Sequence, residues 1–141
     1  MFKKRLVLVG GCFDILHWGH VSFLKKARKF GDFLVIALES DQTTKKLKGK
    51  ARPIHKQSQR RRILESLRFV DKVISLPPMK TDSDYKKLVL KVKPQIIAVT
   101  QKDPFLDKKK KLACLVGAKV VEIPKIKASS TTKIVKLLEL E

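Results

Sequence analysis

Short apolar runs rich in Val and Ile alternate with segments of helical periodicity along this 141-residue chain. The apolar runs predict buried β-strands at residues 6–9, 33–38, 72–76, 96–100 and 120–123. The segments between and after them carry apolar residues at helical spacing and predict helices at residues 21–29, 58–68, 84–92, 108–116 and 132–140. Strands that alternate with helices in this way form a parallel sheet with helices on both faces.

The predicted fold class is therefore α/β, a Rossmann-like three-layer α/β/α arrangement around a five-stranded parallel sheet. We expect a single domain spanning residues 1–141, since the sequence contains no repeat and no linker. Ligands of such sheets bind beyond the carboxyl ends of the strands, near the point where the strand order reverses. The loops that meet at this edge are predicted at residues 10–20, 39–53, 101–105 and 124–132.

The composition narrows the class of protein. No apolar run approaches the roughly 20 residues of a membrane span, and the first residues lead into a strand rather than a signal segment, so we expect a cytoplasmic protein without membrane association. The two cysteines, Cys12 and Cys114, provide neither a disulfide framework nor a metal site.

The net charge of +20 raises the question of a nucleic-acid partner. The excess consists mostly of Lys dispersed along the whole chain, and one Tyr and one Trp offer little stacking surface. Dispersed charge of this kind is typical of solvated helix faces and argues against nucleic acid as a partner.

The segment GCFDILHWGH at residues 11–20 lies where the first strand is expected to end and the first helix to begin. A helix start offers unpaired N–H groups and the positive end of the helix dipole, and we expect the neighbouring glycines to permit a tight turn. His17 and His20 add hydrogen-bond donors whose imidazoles can become cationic near neutral pH. The segment therefore predicts a phosphate site, the alternative being two histidines that serve only as caps or core residues.

A second predicted anion site lies before the last helix, at Ser130, Thr131 and Thr132, where hydroxyl and N–H groups cluster at a helix start. A third feature is a basic stretch that includes Lys46, Lys48 and Arg52, on the predicted loop after the second strand. A solvated charge run is the usual explanation for such a stretch.

The GxFDxxHxGH pattern at residues 11–20 resembles the signature of the cytidylyltransferase-like nucleotidyltransferases, which also end their domain with an S-[ST]-T-x-I segment such as residues 130–134. The resemblance implies that His17 and His20 are catalytic, binding the triphosphate and stabilising the charge of transfer. It also implies a set of nucleotide-binding residues: Gly11, Cys12, Phe13, Asp14, Gly19, Asp103, Ser130, Thr131 and Thr132. Asp14 could assist a metal ion or form structural hydrogen bonds, and both roles remain open.

The SDxxxxxLKGxxRP pattern at residues 40–53 is similar to one branch of that family, the adenylyltransferase domain of ADP-heptose synthases. This resemblance implies that the basic stretch grips the phosphate of an acceptor, with Lys48 assigned to the catalytic set and Lys46 and Arg52 to substrate binding. Arg60 joins the substrate-binding set because the family commonly has an arginine ahead of a Leu-x-x-Leu-x-x-Val-Asp run such as residues 64–71. After the fourth strand the family often has glycines before its acidic residue, whereas this chain has Gln101 and Lys102 before Asp103.

The implied reaction is attack by a phosphorylated acceptor on the α-phosphorus of ATP or CTP, with release of pyrophosphate. AMP transfer to a sugar 1-phosphate such as D-glycero-D-manno-heptose 1-phosphate is favoured, with Mg²⁺ accompanying the nucleotide. Glycerol-3-phosphate cytidylyltransferase and FMN adenylyltransferase (FAD synthase) remain alternatives, as does a basic nucleotide- or RNA-binding module without chemistry. Members of the family are often dimers, so a homodimer also stays open.

Overall fold

A parallel sheet forms the centre of the molecule, as seen in a computed structural model that describes residues 4–126 and 130–139 and, within the last helix, omits the side chains of residues 131, 132 and 139. The five strands of this sheet lie in the order β3-β2-β1-β4-β5, and all neighbouring pairs are parallel. The strands are β1 (Leu6–Gly11), β2 (Phe33–Leu38), β3 (Lys72–Ser75), β4 (Ile96–Thr100) and β5 (Lys119–Ile123).

Helices connect the strands and follow the last one. In the part of the chain that the structure describes they are α1 (Trp18–Arg28), α2 (Asp41–Lys48), α3 (Gln57–Glu65), α4 (Asp82–Val92), α5 (Leu106–Val116) and α6 (Thr131–Glu139). Strands β2 and β4 have the predicted bounds, and the Rossmann-like α/β class with its five-stranded parallel sheet is confirmed.

Helix α2 is the element that the sequence prediction missed, because residues 39–53 were predicted as a loop. The helix is nearly all polar, so its apolar periodicity is weak. Its start signal is nevertheless present, since the Ser40 hydroxyl accepts a hydrogen bond from the Thr43 N–H at 3.0 Å and Asp41 occupies the first turn. The basic stretch therefore lies partly on a helix rather than on an open loop.

The two faces of the sheet bury alternate residues of each strand. On one face, Val7 and Val9 pack in a cluster with Leu24 of α1 and Leu64 of α3. On the other face, Leu8 packs in a cluster with residues of α4 and α5, including Val89. This alternation produces the predicted three layers and fixes the strand ends in register.

The order of the strands reverses between β1 and β4, since the chain first builds outward through β2 and β3 and then returns to the other side of β1. A crevice beyond the carboxyl ends of β1 and β4 is the usual ligand site in sheets of this kind. The turn at residues 12–17 leaves β1 at this edge, and the residues after β2 and β4 follow there as well.

Within the described residues, no helix is long and apolar enough to cross a membrane. The single domain expected for residues 1–141 stays a prediction.

Candidate active site

The turn between β1 and α1 is held by left-handed backbone at non-glycine residues. Phe13 has φ of 46° and Ile15 has φ of 50°, whereas neither Gly10 nor Gly11 has positive φ. The tight turn that was expected of the glycines is therefore made by Phe13 and Ile15. Gly11 serves instead for close packing, because a Cβ atom there would lie 2.8 Å from the Phe13 ring. Strained backbone of this kind clusters at functional sites.

The two histidines form a reciprocal cap at the start of α1. Nδ1 of His17 accepts a hydrogen bond from the Gly19 N–H at 3.0 Å, and Nδ1 of His20 accepts one from the His17 N–H at 3.4 Å. Their rings stack with centroids 3.9 Å apart, and the Phe13 ring contacts His20 edge-on at 5.5 Å. Since a neutral imidazole that accepts at Nδ1 carries its proton on Nε2, both rings retain an Nε2–H donor.

Capping and ligand binding are therefore compatible roles for these histidines. The Nδ1 atoms complete the helix start, and the Nε2–H groups stay unused by that cap. Capping accounts for the Nδ1 atom of each ring and leaves the Nε2–H group to the predicted phosphate contact.

Both histidines are neutral in the free site near pH 7. Burial lowers the pKa of His20 to about 4, with further lowering by the charges of His17, Lys48 and Arg52. Burial also lowers the pKa of His17. This corrects the expectation of imidazoles that are readily cationic near neutral pH, and it leaves hydrogen-bond donation as their role in the free protein.

The pKa of His20 also locates Lys48 and Arg52, because both cations lie close enough to disfavour its protonation. Lys48 is the last residue of α2, where Gly49 (φ 111°) ends the helix in a conformation that favours glycine. Lys46 and Lys48 are both exposed, but of the two it is Lys48 whose charge acts on the pKa of His20. The structure thus brings Lys48 and Arg52 to the histidine pair and does not bring Lys46 there.

Asp14 is buried and ties the segment after α2 to the turn. Its carboxylate accepts hydrogen bonds from Arg52 Nε at 2.7 Å, from the Ile54 N–H at 2.7 Å and from the His55 N–H at 3.0 Å. Burial would raise the pKa of Asp14, but these three donors outweigh it and the pKa is lowered. Of the two roles left open for Asp14, the structure supports the hydrogen-bonding one.

Arg52 is also largely buried, with Nε committed to Asp14. Its terminal nitrogens donate no hydrogen bond to any other group within residues 4–126 and 130–139, so they stay available to an anion. Its predicted contact with an acceptor phosphate remains a prediction.

Arg60 was predicted to bind the acceptor, but in the structure its side chain is buried and bonded to the protein itself. It is 1% exposed, and its guanidinium donates to the Cys12 carbonyl at 2.6 Å, the His55 carbonyl at 3.0 Å and the Asp41 carboxylate at 2.7 Å. These bonds join the β1–α1 turn, α2 and the segment before α3. Arg60 therefore stabilises the site by linking these segments, because all three of its guanidinium nitrogens donate to groups of the protein.

Asp103, predicted to contact the nucleotide, follows β4 at the carboxyl edge. Its carboxylate accepts from the Phe105 N–H at 2.7 Å and pairs with Lys109 Nζ at 2.6 Å. It organises the start of α5 and places the Lys109 ammonium beside the crevice. A contact with the nucleotide stays a prediction.

Ser130 caps α6, since its hydroxyl accepts a hydrogen bond from the Lys133 N–H at 3.1 Å. The side chains of Thr131 and Thr132 lie outside the described residues, so their predicted phosphate contacts stay predictions. Cys12 is buried and supplies its carbonyl to Arg60, and the Gly19 N–H is used by His17. Direct nucleotide contacts by Gly11, Cys12, Phe13 and Gly19 likewise stay predictions.

A buried acid that the sequence analysis did not single out lies at the same edge. Glu39 follows β2, is 6% exposed, and accepts a hydrogen bond from the Tyr85 hydroxyl at 2.8 Å. Its backbone N–H donates to the Gly11 carbonyl at 3.0 Å, which places it beside the turn. An acidic residue directly after a buried strand was the only local signal, because its partner on α4 is 46 positions away.

The described residues contain no group of three or more His, Cys, Asp or Glu side chains that could hold a metal ion. The expected Mg²⁺ would be held mainly by the triphosphate, because Mg²⁺ prefers phosphate oxygens and water to an all-protein cage.

Comparison with known proteins agrees with this geometry. The cytidylyltransferase-like family model matches residues 8–137. The bifunctional protein HldE of Campylobacter concisus is 47% identical over 96 residues, which is 67% of this chain and 19% of that protein. The FAD synthase of Pyrococcus horikoshii is 36% identical over 140 residues, 97% of this chain and 92% of that protein.

A solved structure, the lipopolysaccharide core biosynthesis protein of Thermoplasma volcanium, superposes with a TM-score of 0.72 at 31% identity. The match covers 89% of this chain and all of the other. Against HldE, by contrast, the chain spans only about a fifth of the relative's length. The resemblance predicted from the histidine signature is confirmed, and the chain belongs to the cytidylyltransferase-like family of nucleotidyltransferases.

Proposed function

We propose that the protein transfers a nucleoside monophosphate, AMP in preference to CMP, from a nucleoside triphosphate to a phosphorylated acceptor and releases pyrophosphate. The observation that carries this proposal is the stacked pair of His17 and His20, whose Nδ1 atoms are used in the cap while both Nε2–H groups remain as donors. Two neutral donors at a helix start suit a site that receives a polyanion and must stabilise added negative charge.

In this mechanism the protein acts by positioning and electrostatics. The acceptor phosphate attacks the α-phosphorus in line with the departing pyrophosphate, so charge grows on the bridging and non-bridging oxygens. His17 and His20 donate to the α-phosphate and bridging oxygens, and the helix-start amides near Thr131 hold the β- and γ-phosphates. No covalent intermediate with the protein is needed.

Lys48 and Arg52 hold the acceptor phosphate. Both lie near His20, as its pKa reflects, and the terminal nitrogens of Arg52 have the planar geometry that phosphate oxygens favour. Their positive charges also bring two anions together, which would otherwise repel each other. Mg²⁺ bound to the triphosphate would supply further charge neutralisation.

A sugar 1-phosphate is the acceptor that the match to HldE favours, with ATP as the donor. HldE proteins from several Campylobacter species and from Proteus mirabilis are 44–52% identical to this chain over 50–67% of its length.

FMN is a second candidate acceptor, and a specific observation supports it. The match to the FAD synthase of Pyrococcus horikoshii extends over 97% of this chain and 92% of that protein. Two short chains of nearly the same extent are compared there, whereas the HldE match leaves most of that relative uncovered.

Pyrophosphate release decides among the acceptors. Wild-type protein is incubated with ATP or CTP, MgCl₂ and one acceptor: D-glycero-D-manno-heptose 1-phosphate, glycerol 3-phosphate or FMN. We expect release with ATP and the heptose phosphate. Release only with ATP and FMN would assign FAD synthesis, and release only with CTP and glycerol 3-phosphate would assign the cytidylyltransferase alternative.

The absence of pyrophosphate release in every combination of nucleotide and acceptor would contradict the proposal. If the same protein then bound RNA with a steep dependence on salt, the binding-module alternative would take its place. The cytoplasmic location and the homodimer stay predictions. Trp18 is 64% exposed, so its side chain is free to serve an interface and is not a core residue.

A further inference from the structure

Glu39 is, like Asp14, a buried carboxylate in a chain with a net charge of +20, but it has fewer hydrogen-bond donors around it than Asp14 has. Burying an acid without ample partners is costly, and the pKa of Glu39 is raised by that burial despite a hydrogen bond from Tyr85. The nucleotide and acceptor phosphates of the proposed reaction give Glu39 no task, since a carboxylate repels phosphate.

Among the described residues, only one oxygen of the Glu39 carboxylate has a hydrogen-bond partner. Oε2 accepts from the Tyr85 hydroxyl at 2.8 Å, and no group in the described ranges donates to Oε1. Among the described residues, the one buried side-chain atom that is both sealed from solvent and unpartnered is the Thr44 hydroxyl. Oε1 of Glu39 is therefore still accessible, and it offers a preformed acceptor at the carboxyl edge of the sheet.

The position of Glu39 relates it to the proposed active site. Its N–H bonds the carbonyl of Gly11, and the turn that follows carries Phe13, whose ring contacts His20. On the far side of β1, Lys109 pairs with Asp103 at 2.6 Å and also stabilises the charge of Glu39. Glu39 thus lies beside the crevice on its β2 side, where the strand order places a ligand.

The charges of the site are divided. Lys48 and Arg52 cluster near His20 and suit phosphate, whereas Lys109 of α5 is shared between the carboxylates of Asp103 and Glu39. The guanidinium of Arg60, the other cation near Glu39, is already bonded to Asp41 at 2.7 Å. A ligand that spans the crevice meets donors at one end and an acceptor at the other.

We propose that Glu39, oriented by Tyr85, accepts a hydrogen bond from a hydroxyl group of the phosphorylated acceptor and thereby selects acceptors that carry a hydroxyl away from their phosphate. This inference rests on the proposed function. It makes Glu39 a specificity-determining residue and Tyr85 a positioning residue. Polyols and sugars are the chemical class that supplies such donors, because their hydroxyls donate without carrying charge.

The test uses Glu39→Gln, which keeps the shape and one oxygen of the side chain but removes its charge. Pyrophosphate release is measured for the acceptor that wild type uses best among heptose 1-phosphate, glycerol 3-phosphate and FMN. Hydrogen bonds to charged groups are strong enough that we expect the acceptor KM to rise roughly 10- to 100-fold. The KM of the nucleoside triphosphate and the melting temperature should stay near those of wild type.

Two further arms separate recognition from a structural role. Monodeoxy analogues of the same acceptor should include one for which Glu39→Gln and wild type have the same KM, since the lost hydroxyl was the partner of Glu39. Tyr85→Phe should raise the acceptor KM less than Glu39→Gln does, because the carboxylate remains. Glu65→Gln is the matched control, as that exposed acid on α3 pairs only with Arg61 among the described residues.

The outcomes distinguish the two claims. An active wild type with an unchanged acceptor KM in Glu39→Gln would overturn the role of Glu39 and leave the proposed function standing. An equal penalty for every deoxy analogue, or a rise in the KM of the nucleoside triphosphate instead, would also overturn it. A wild type that releases no pyrophosphate with any acceptor would overturn the proposed function, and this inference with it.

Discussion

Each histidine of the signature uses its two ring nitrogens for different purposes. The spacing of three residues between His17 and His20 matches that of a capping box, so each Nδ1 satisfies a backbone N–H at the start of α1. The same spacing stacks the rings at 3.9 Å and leaves both Nε2–H groups as donors. One short pattern therefore explains both the local structure and the proposed chemistry.

The low pKa of His20 gives the fold a pH dependence. In the unfolded chain this imidazole titrates near 6.5, and burial in the folded protein lowers its pKa to about 4. Between these values the unfolded chain binds more protons, so the free energy of unfolding falls as pH decreases through this window. We expect His20→Gln to lose part of this slope in urea denaturation across the window. A slope identical to that of wild type would contradict the assignment.

The sequence could predict the histidines because their signal is local, and it could not predict the partners of Asp14, Arg60 and Glu39. Asp14 bonds residues about 40 positions away, and Arg60 bonds Cys12 across 48 positions. Such contacts depend on how α2 and α3 cross the carboxyl edge of the sheet. The sequence around a charged residue does not distinguish a residue that binds a substrate from one that bonds to another part of its own chain.

Among the elements, α2 and the segment that follows it determine where the acceptor cations lie. Ser40 starts α2, Gly49 ends it, and Asp14 then fastens residues 52–55 to the β1–α1 turn. The sheet was predictable because its strands are short, apolar and rich in Val and Ile. Helix α2 was not, because its eight residues expose mostly Lys and Gln and depend on a cap rather than on an apolar face.

Removing the cap of α2 should destabilise the protein. In Ser40→Ala the Thr43 N–H loses its partner, and we expect the free energy of unfolding to fall by about 1 kcal/mol. Ser58→Ala, at an exposed position inside α3, is the matched control and should cause little change. Equal unfolding free energies for the two variants in urea denaturation would show that the cap does not stabilise α2.

Breaking the buried pair of Asp14 and Arg52 should have a larger effect. Asp14→Asn leaves a buried guanidinium without its counter-charge, and we expect a loss of about 3 kcal/mol in unfolding free energy. The exposed pair of Arg61 and Glu65 provides the comparison, since Glu65→Gln should cost about 0.5 kcal/mol or less. Equal stability of the two variants would contradict a stabilising role for the bonds between Asp14 and residues 52–55.

At the scale of the whole molecule, the net charge of +20 opposes compaction because its lysines repel one another. Screening shortens the range of that repulsion, so we expect the melting temperature to rise as NaCl increases from about 0.02 M to about 0.3 M. Differential scanning fluorimetry measures this directly. A melting temperature that falls with added NaCl would mean that the ion pairs of the fold outweigh the repulsion.

The central claim is that His17 and His20 catalyse nucleotidyl transfer beyond their structural role as caps. His17→Asn separates the two, because Asn is a strong N-cap but lacks the Nε2–H donor. Pyrophosphate release is measured for this variant, His20→Asn and wild type with the best nucleotide and acceptor, and unfolding free energies are measured alongside. We expect a folded His17→Asn protein whose turnover is lower by about a hundredfold or more, and a comparable loss in His20→Asn, whose shorter amide does not reach the position of Nε2. Full turnover in both folded variants would contradict the claim.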